Sequence, residues 1–361
     1  MIPIYTPDTE NYTSSAIKAL HSGWISSQGG FISKATEKLQ EVLGSKHVIL
    51  TNNGTSATHM LYRALKYKYP NLKKIYVPNN VFVAVWNCAV LEYPSEMLHV
   101  LEMNPETLNM REDEEYIMGL EKNAAVVVVH NIGNVVNVPR LQRLRPDLIF
   151  VEDNCEAFLE TYEDRKTGTA SLCAAISFFA NKLVTAGEGG AFYTDDKELY
   201  DYVYKSCHHG MSFKRYVYDV QGFNYRMTNI QAALLYDQLC DIENIVHRKH
   251  GVRKNYVELF GDGVISQGLW MCVVKIPEVT NYDEFCKFML MKGVDTRPMF
   301  FDIRVQSHLT IQNIDGSMNT EHVVMLPSSP GLSKCDQEYI KECIQKYIHE
   351  HPTIPVGIGS G

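Results

Sequence analysis

A mostly parallel α/β sheet covered by helices on both faces is the fold class this sequence predicts. Short, nearly continuous apolar runs recur along the chain, plausible amphipathic helices separate many of them, and 361 residues suffice for two units around sizeable cores. The runs read as strands near 47–51 (HVILT), 74–78 (KIYVP), 97–101 (MLHVL), 125–129 (AVVVV), 148–152 (LIFVE), 174–178 (AAISF) and 190–193 (GAFY). Helical patterns fall between them, for example at 56–68 and 196–206. Continuous rather than alternating apolarity means that both faces of the sheet are covered. After a helix at about 229–250 a smaller α+β unit is expected, so the reading is a large unit over 1–240, a small one over 241–355 and a flexible tail over 356–361.

Composition excludes several function classes. Hydrophobic content of 45% and charged content of 21% are ordinary for a globular chain. A formal net charge of −8 argues against general binding of nucleic acid or an anionic membrane, while leaving room for a small anion in a locally basic pocket. The apolar string at 124–129 is far too short to cross a bilayer, and the opening MIPIYTPDTENY lacks the basic-then-apolar pattern of a signal peptide. Nine scattered cysteines without a CxxC or a His/Cys cluster predict reduced thiols, a cytoplasmic location and no metal site.

In parallel sheets ligands gather beyond the carboxyl ends of the strands, so the residues after each strand matter most. After HVILT comes NNGTSA (52–57), which opens a helix with Gly54 and Thr55; it can seat a phosphate or simply cap the helix. After LIFVE comes DNCEA, placing Asp153 and Glu156 at a strand end. The stretch SFFANKLVTAGEGG (177–190) sets Lys182 between an aromatic pair and a glycine cluster. A buried, unpaired ammonium is costly, so such a lysine is paired, neutral or covalently occupied unless it snorkels to water. No GxGxxG follows the first strand and no GxxxxGK[ST] is present, which removes the dinucleotide and Walker fingerprints.

A phosphate seat, a strand-end carboxylate and a lysine suit pyridoxal 5'-phosphate. In NNGTSA, VEDNCEA, ISFFANKLVTAGEGG, GFNYRMTNIQAALLYDQL (222–239) and GVDTRPMFF (293–301), the sequence resembles the sugar aminotransferases of the DegT/DnrJ/EryC1/StrS family, which have the aspartate aminotransferase-like fold type I. The resemblance runs from SGWISSQG (22–29) to LPSSPGLS (326–333). It implies that Lys182 is the Schiff-base lysine, that Gly54, Thr55 and Ser177 bind the cofactor phosphate, and that Phe82 stacks on the pyridine ring. It further implies that Asp153 pairs with the pyridine nitrogen and that Glu156 lies beside the ring hydroxyl. Asn224 would reach the partner subunit's cofactor, making a homodimer with shared active sites.

The implied reaction takes an amino group from L-glutamate, through pyridoxamine phosphate, to a nucleotide-linked 4-keto-6-deoxyhexose. Within the family the motifs look most like perosamine and viosamine synthases, which aminate C4; amination at C3 and a non-catalytic cofactor-binding regulator are the alternatives. The family's sugar 3-dehydratases carry histidine in place of the lysine, and Lys182 is present. A net acidic protein needs local cations for the substrate diphosphate, and Arg226, Arg297, Arg304, Lys214 and Arg215 are the candidates. Two departures bear on substrate identity. Glu156 stands where relatives usually have Gln or His, and Arg304 where many have His.

Overall fold

The computed structural model describes residues 1–212 and 214–352, so the expected tail at 356–361 lies outside the described residues. The chain begins with α1 (Ser14–Ser22), α2 (Gly30–Leu43), β1 (His47–Thr51), α3 (Gly54–Lys68), β2 (Lys74–Pro78) and α4 (Ala84–Glu92). It continues through β3 (Leu98–Leu101), α5 (Glu114–Gly119), β4 (Ala124–Val129), α6 (Val138–Leu144) and β5 (Ile149–Asp153). A hairpin of β6 (Thr161–Tyr162) and β7 (Arg165–Lys166) precedes β8 (Ala174–Ser177), β9 (Gly190–Thr194), α7 (Lys197–Cys207) and α8 (Asn229–Cys240). Then follow α9 (Ile242–Phe260), β10 (Cys272–Lys275), α10 (Tyr282–Met291), β11 (Arg297–Pro298), β12 (Asn313–Ile314), β13 (Val323–Leu326) and α11 (Lys334–Glu350).

Eight strands form one sheet in the order β1-β9-β8-β5-β4-β2-β3-β12. β9 runs antiparallel to both of its neighbours, and the remaining pairs are parallel. Each of the seven apolar runs is a strand of this sheet, shifted at the ends by a residue at most. Every residue of β4 is buried, as a run of alanine and valine covered on both faces requires. Asn53 starts α3 by accepting a hydrogen bond from the Ser56 amide at 2.8 Å, and most of the helix that follows is buried against the sheet. Because the strands run one way, β1, β2, β4, β5 and β8 all release their chains at the same edge, and that edge carries the site.

A second core gathers around β10, β13 and β11, a three-stranded antiparallel sheet flanked by α9, α10 and α11. A third apolar cluster bridges the two sheets: Leu108 and Ile132 on one side meet Trp270, Met271, Met299 and Met325 on the other. Strand pairings also cross between the halves of the sequence. Ile2 pairs with Val294, and β12 adds itself to the outer edge of the large sheet beside β3.

Leu65, on α3 and fully buried in the largest core, offers a direct check of this packing. Leu65→Ala is expected to cost about 2–5 kcal/mol of unfolding free energy, read from urea titration of the purified protein. A loss well under about 1 kcal/mol would mean that α3 does not pack as described.

Candidate active site

Lys182 is carried on the loop between β8 and β9, and the neck of that loop is tied. Phe178 N donates to Gly189 O at 2.8 Å and Ala186 N donates to Phe178 O at 2.9 Å. The lysine side chain is 12% exposed, so the snorkelling alternative does not describe it. Its Nζ lies 3.8 Å from the centre of the Trp270 ring and 3.9 Å from Glu156 Oε1. The Trp270 indole N–H donates to Asn181 O at 3.1 Å, and the Tyr5 hydroxyl donates to Lys182 O at 3.0 Å. The amine is boxed by an aromatic face and a carboxyl group, with its own backbone pinned on both sides.

Glu156 is buried, and its Oε2 accepts from the Ile132 amide at 2.7 Å. Ile132 has φ of +54°, a left-handed conformation that a β-branched side chain adopts only under constraint, at a cost of order 1–3 kcal/mol. The next residue explains how this corner closes. A Cβ on Gly133 would stand 2.7 Å from Gly268 Cα, so only a glycine lets the segment leading to Trp270 approach the end of β4. Burial pushes the Glu156 carboxyl up to about 7, against the opposing pull of Lys182 and the Ile132 amide.

Asp153 ends β5 and is also buried. Its Oδ2 accepts from the Thr58 hydroxyl of α3 at 2.9 Å, and its Oδ1 from the Cys155 amide at 3.0 Å. Neither donor is a cation. Behind it, Glu152 accepts from His130 Nε2 at 2.7 Å and from the Gly168 amide at 2.8 Å. His130 Nδ1 accepts from the Val136 amide at 3.1 Å, so its proton sits on Nε2 and points at Glu152. This pair locks the carboxyl ends of β4 and β5 together.

Gly54 begins α3 directly against Ser177, where an added Cβ would stand 2.6 Å from the serine Cβ. The helix N-terminus and the end of β8 therefore share one spot, with Thr55 exposed beside it. Phe82, past β2, is 53% exposed and lies 6.0 Å from Phe300, which in turn stacks on Trp270 at 6.5 Å. It is not a core residue, so its flat face is free. Asn52 Oδ1 and Asn181 Oδ1 are buried acceptors that lack a hydrogen-bond partner among the described residues.

Asn224 is exposed on a loop held to the end of β1 by a bond from the Asn52 amide to Tyr225 O at 2.8 Å. Arg226 Nε donates to Asn224 Oδ1 at 2.9 Å, and the Arg226 guanidinium also meets His209 Nε2 at 3.1 Å. The other candidate cations lie apart. Arg297 is exposed and ion-paired to Asp295. Arg304 pairs with Asp302 at 2.9 Å and donates to Gly316 O. Lys214 and Arg215 are exposed, with Arg215 stacked 5.0 Å over Tyr216. Among the described residues no hydrogen bond or ion pair joins these four to the Lys182 cluster.

The sequence reading did not single out Trp270, Tyr5, Thr58 or Ile132. Thr58 could have been found, since it lies one helical turn beyond Gly54 on a helix already placed at the site. Trp270 and Tyr5 reach Lys182 from distant parts of the chain, and no local pattern marks them.

The model of the DegT/DnrJ/EryC1/StrS aminotransferase family matches residues 7–345. The chain is 28% identical to the GDP-perosamine synthase of Escherichia coli O157:H7, over 97% of this chain and 99% of that protein. Among solved structures, it superposes with a TM-score of 0.84 on Helicobacter pylori PseC, an aminotransferase involved in the biosynthesis of pseudoaminic acid, at 22% identity over 96% of this chain and 99% of that one. A GDP-4-keto-6-deoxymannose-3-dehydratase with a trapped PLP-glutamate geminal diamine also superposes with a TM-score of 0.84, at 19% identity over 95% and 100% of the two chains. At such identities the two structures show the fold alone. The match along nearly the whole chain, with its motifs meeting at one sheet edge, places this protein in the DegT/DnrJ/EryC1/StrS aminotransferase family.

Proposed function

We propose that this aminotransferase moves an amino group from L-glutamate to a nucleotide-linked 4-keto-6-deoxyhexose, using pyridoxal 5'-phosphate. The observation that carries the reading is the Lys182 amine, withdrawn from water between Trp270 and Glu156 at the edge where β1, β5 and β8 end. The residues present fit the cofactor. Asp153 is a buried carboxyl group without a cationic hydrogen-bond donor, suited to a protonated pyridine nitrogen. Phe82 offers an exposed aromatic face, and the Gly54–Ser177 contact brings the amides that open α3 beside the Ser177 hydroxyl, donors suited to a phosphate. When bound, pyridoxal phosphate supplies an aldehyde for an amine to capture and a ring that accepts electrons.

The chain's own groups then have distinct tasks. Lys182 would hold the cofactor through its amine and, as a free amine, would carry a proton to and from the substrate carbon. Asp153 would keep a proton on the ring nitrogen. Gly54, Thr55 and Ser177 hold the phosphate. Glu156 would face the ring hydroxyl, and its raised affinity for a proton would suit it to share one with that oxygen. The choice of a C4-keto sugar nucleotide rests on the full-length likeness to a GDP-perosamine synthase. For the diphosphate we favour Arg226, already held at the site edge, with Arg297, Arg304, Lys214 and Arg215 as further cations.

We also propose a homodimer in which Asn224 completes the partner's phosphate site. Trp24 and Ile25, adjacent in the chain, both exposed and tied to α8 by the bond from Asn229 to the Trp24 carbonyl, are apolar surface that such an interface would cover. A cytoplasmic setting accords with nine free cysteines, and no helix among the described residues is long and apolar enough to cross a membrane.

Borohydride should fix the cofactor to the peptide containing Lys182, and Lys182→Ala should lose turnover by roughly a thousandfold or more. Label on a different lysine, or substantial activity in the variant, refutes the assignment.

Glu156 gives a pH test. Its carboxyl binds a proton more tightly in the folded protein than its ordinary value of 4.5 implies. Stability must therefore fall as pH rises from about 4.5 to about 7, by an amount on the order of 3 kcal/mol, and stay reduced above that window. Cofactor-free Glu156→Gln should melt higher than the cofactor-free parent above pH ~7, with the difference shrinking towards pH ~4.5. Parallel melting curves across the whole range would remove this account of Glu156.

Mixing Lys182→Ala with Asn224→Ala under subunit exchange should give activity above the sum of the two pure variants, since mixed dimers carry one intact site. Failure to recover activity despite exchange, or an active monomer in sedimentation, sinks the shared-site proposal.

A further inference from the structure

A second lysine is buried behind the first. Lys249, on α9, is 3% exposed, and its ammonium donates to Trp270 O at 2.7 Å and to Ser328 O. It also lies 5.1 Å from the centre of the Tyr5 ring. No carboxylate pairs with it among the described residues. Burial draws it down to about 7, so the site holds this cation at a cost. Nothing in amino transfer calls for a second interior lysine.

Its partners show what it holds. Trp270 is the residue whose ring covers the Lys182 amine, and Tyr5 is the residue whose hydroxyl binds the Lys182 carbonyl. Ser328 receives the Cys272 amide on its Oγ at 2.8 Å, and its own amide donates to Ile4 O at 2.9 Å. Three segments distant in sequence, at 4–5, 270–272 and 328, thus meet around one Nζ. An apolar side chain at 249 would leave two buried carbonyls without their donor.

We infer that Lys249 is a positioning residue for Lys182: by holding the Trp270 carbonyl and backing the Tyr5 ring, it sets the indole face against the reacting amine. The inference rests on Lys182 being that amine. Its action is indirect, through Trp270, so removing Lys249 and removing the indole should have the same effect on Lys182 and should not add.

The test compares the parent, Lys249→Met, Trp270→Phe and the double variant. Borohydride capture in the loaded parent comes first. Capture on another lysine overturns both the functional reading and this inference. In cofactor-free protein, with folding checked by circular dichroism, the acylation rate of Lys182 by an amine-reactive ester is then read by peptide mass spectrometry at one mildly alkaline pH. Loss of the cation–aromatic contact should speed acylation roughly threefold or more in each single variant, with the double variant no faster than Trp270→Phe alone. An unchanged rate in folded Lys249→Met, or rates that multiply in the double variant, overturns the inference while leaving the function of Lys182 standing. Should Lys249→Met not fold, spectra of protein labelled with 13C at lysine Cε decide. The Lys249 signal must move in Trp270→Phe relative to the parent, and an unmoved signal refutes the coupling.

Discussion

Keeping the Lys182 amine out of water is the constraint around which this molecule is arranged. An amine in a low-dielectric setting needs partners supplied by the protein, and they come here from three directions: Trp270, Glu156, and the backbone tie from Tyr5. Each partner has a cost of its own. Glu156 reaches its place through a left-handed Ile132, and Trp270 arrives only because two glycines let two backbones touch. Two ionisable groups, Glu156 and Lys249, are drawn by burial towards neutrality on either side of the amine. Strain and displaced proton affinity collect at one edge of the sheet, while β4 behind it is fully buried alanine and valine.

Much of this was legible in the sequence, for a physical reason. Strands covered on both faces read as unbroken apolar runs, and a parallel sheet sends their carboxyl ends to one edge. Asp153, Glu156, Gly54 and Lys182 all lie within a few residues of such an end, so local reading marked them as candidates, while Ser177 came only with the family resemblance. The direction of β9 was not legible, because β8 and β9 are joined by an irregular loop rather than a covering helix, and apolarity carries no polarity of direction. β12 is two residues long and has no apolar pattern to announce it. Trp270, Tyr5 and Lys249 escaped notice because only tertiary folding brings them to Lys182. Arg297 was picked by residue type and Arg304 also for standing where many relatives have His, and both turn out to be occupied by nearby aspartates.

The pair behind Asp153 shows how a strand end is made rigid enough for chemistry. Glu152 has no solvent contact, yet hydroxyl, amide and imidazole donors satisfy it, from Tyr162, Gly168 and His130. Such a closed network has one arrangement rather than several, which suits the residue next to a carboxyl group that must hold its orientation.

The close of the chain on its own beginning has a consequence for how the molecule is made. Ile2, Ile4 and Tyr5 are synthesised well before their partners Val294, Ser328 and Lys182, which lie far downstream. The first strand of contacts must wait for most of the polypeptide to be synthesised, and such distant pairings are the slow ones to form. The pocket around the lysine is thus a product of late assembly, sealed by residues made long before the segments they pair with.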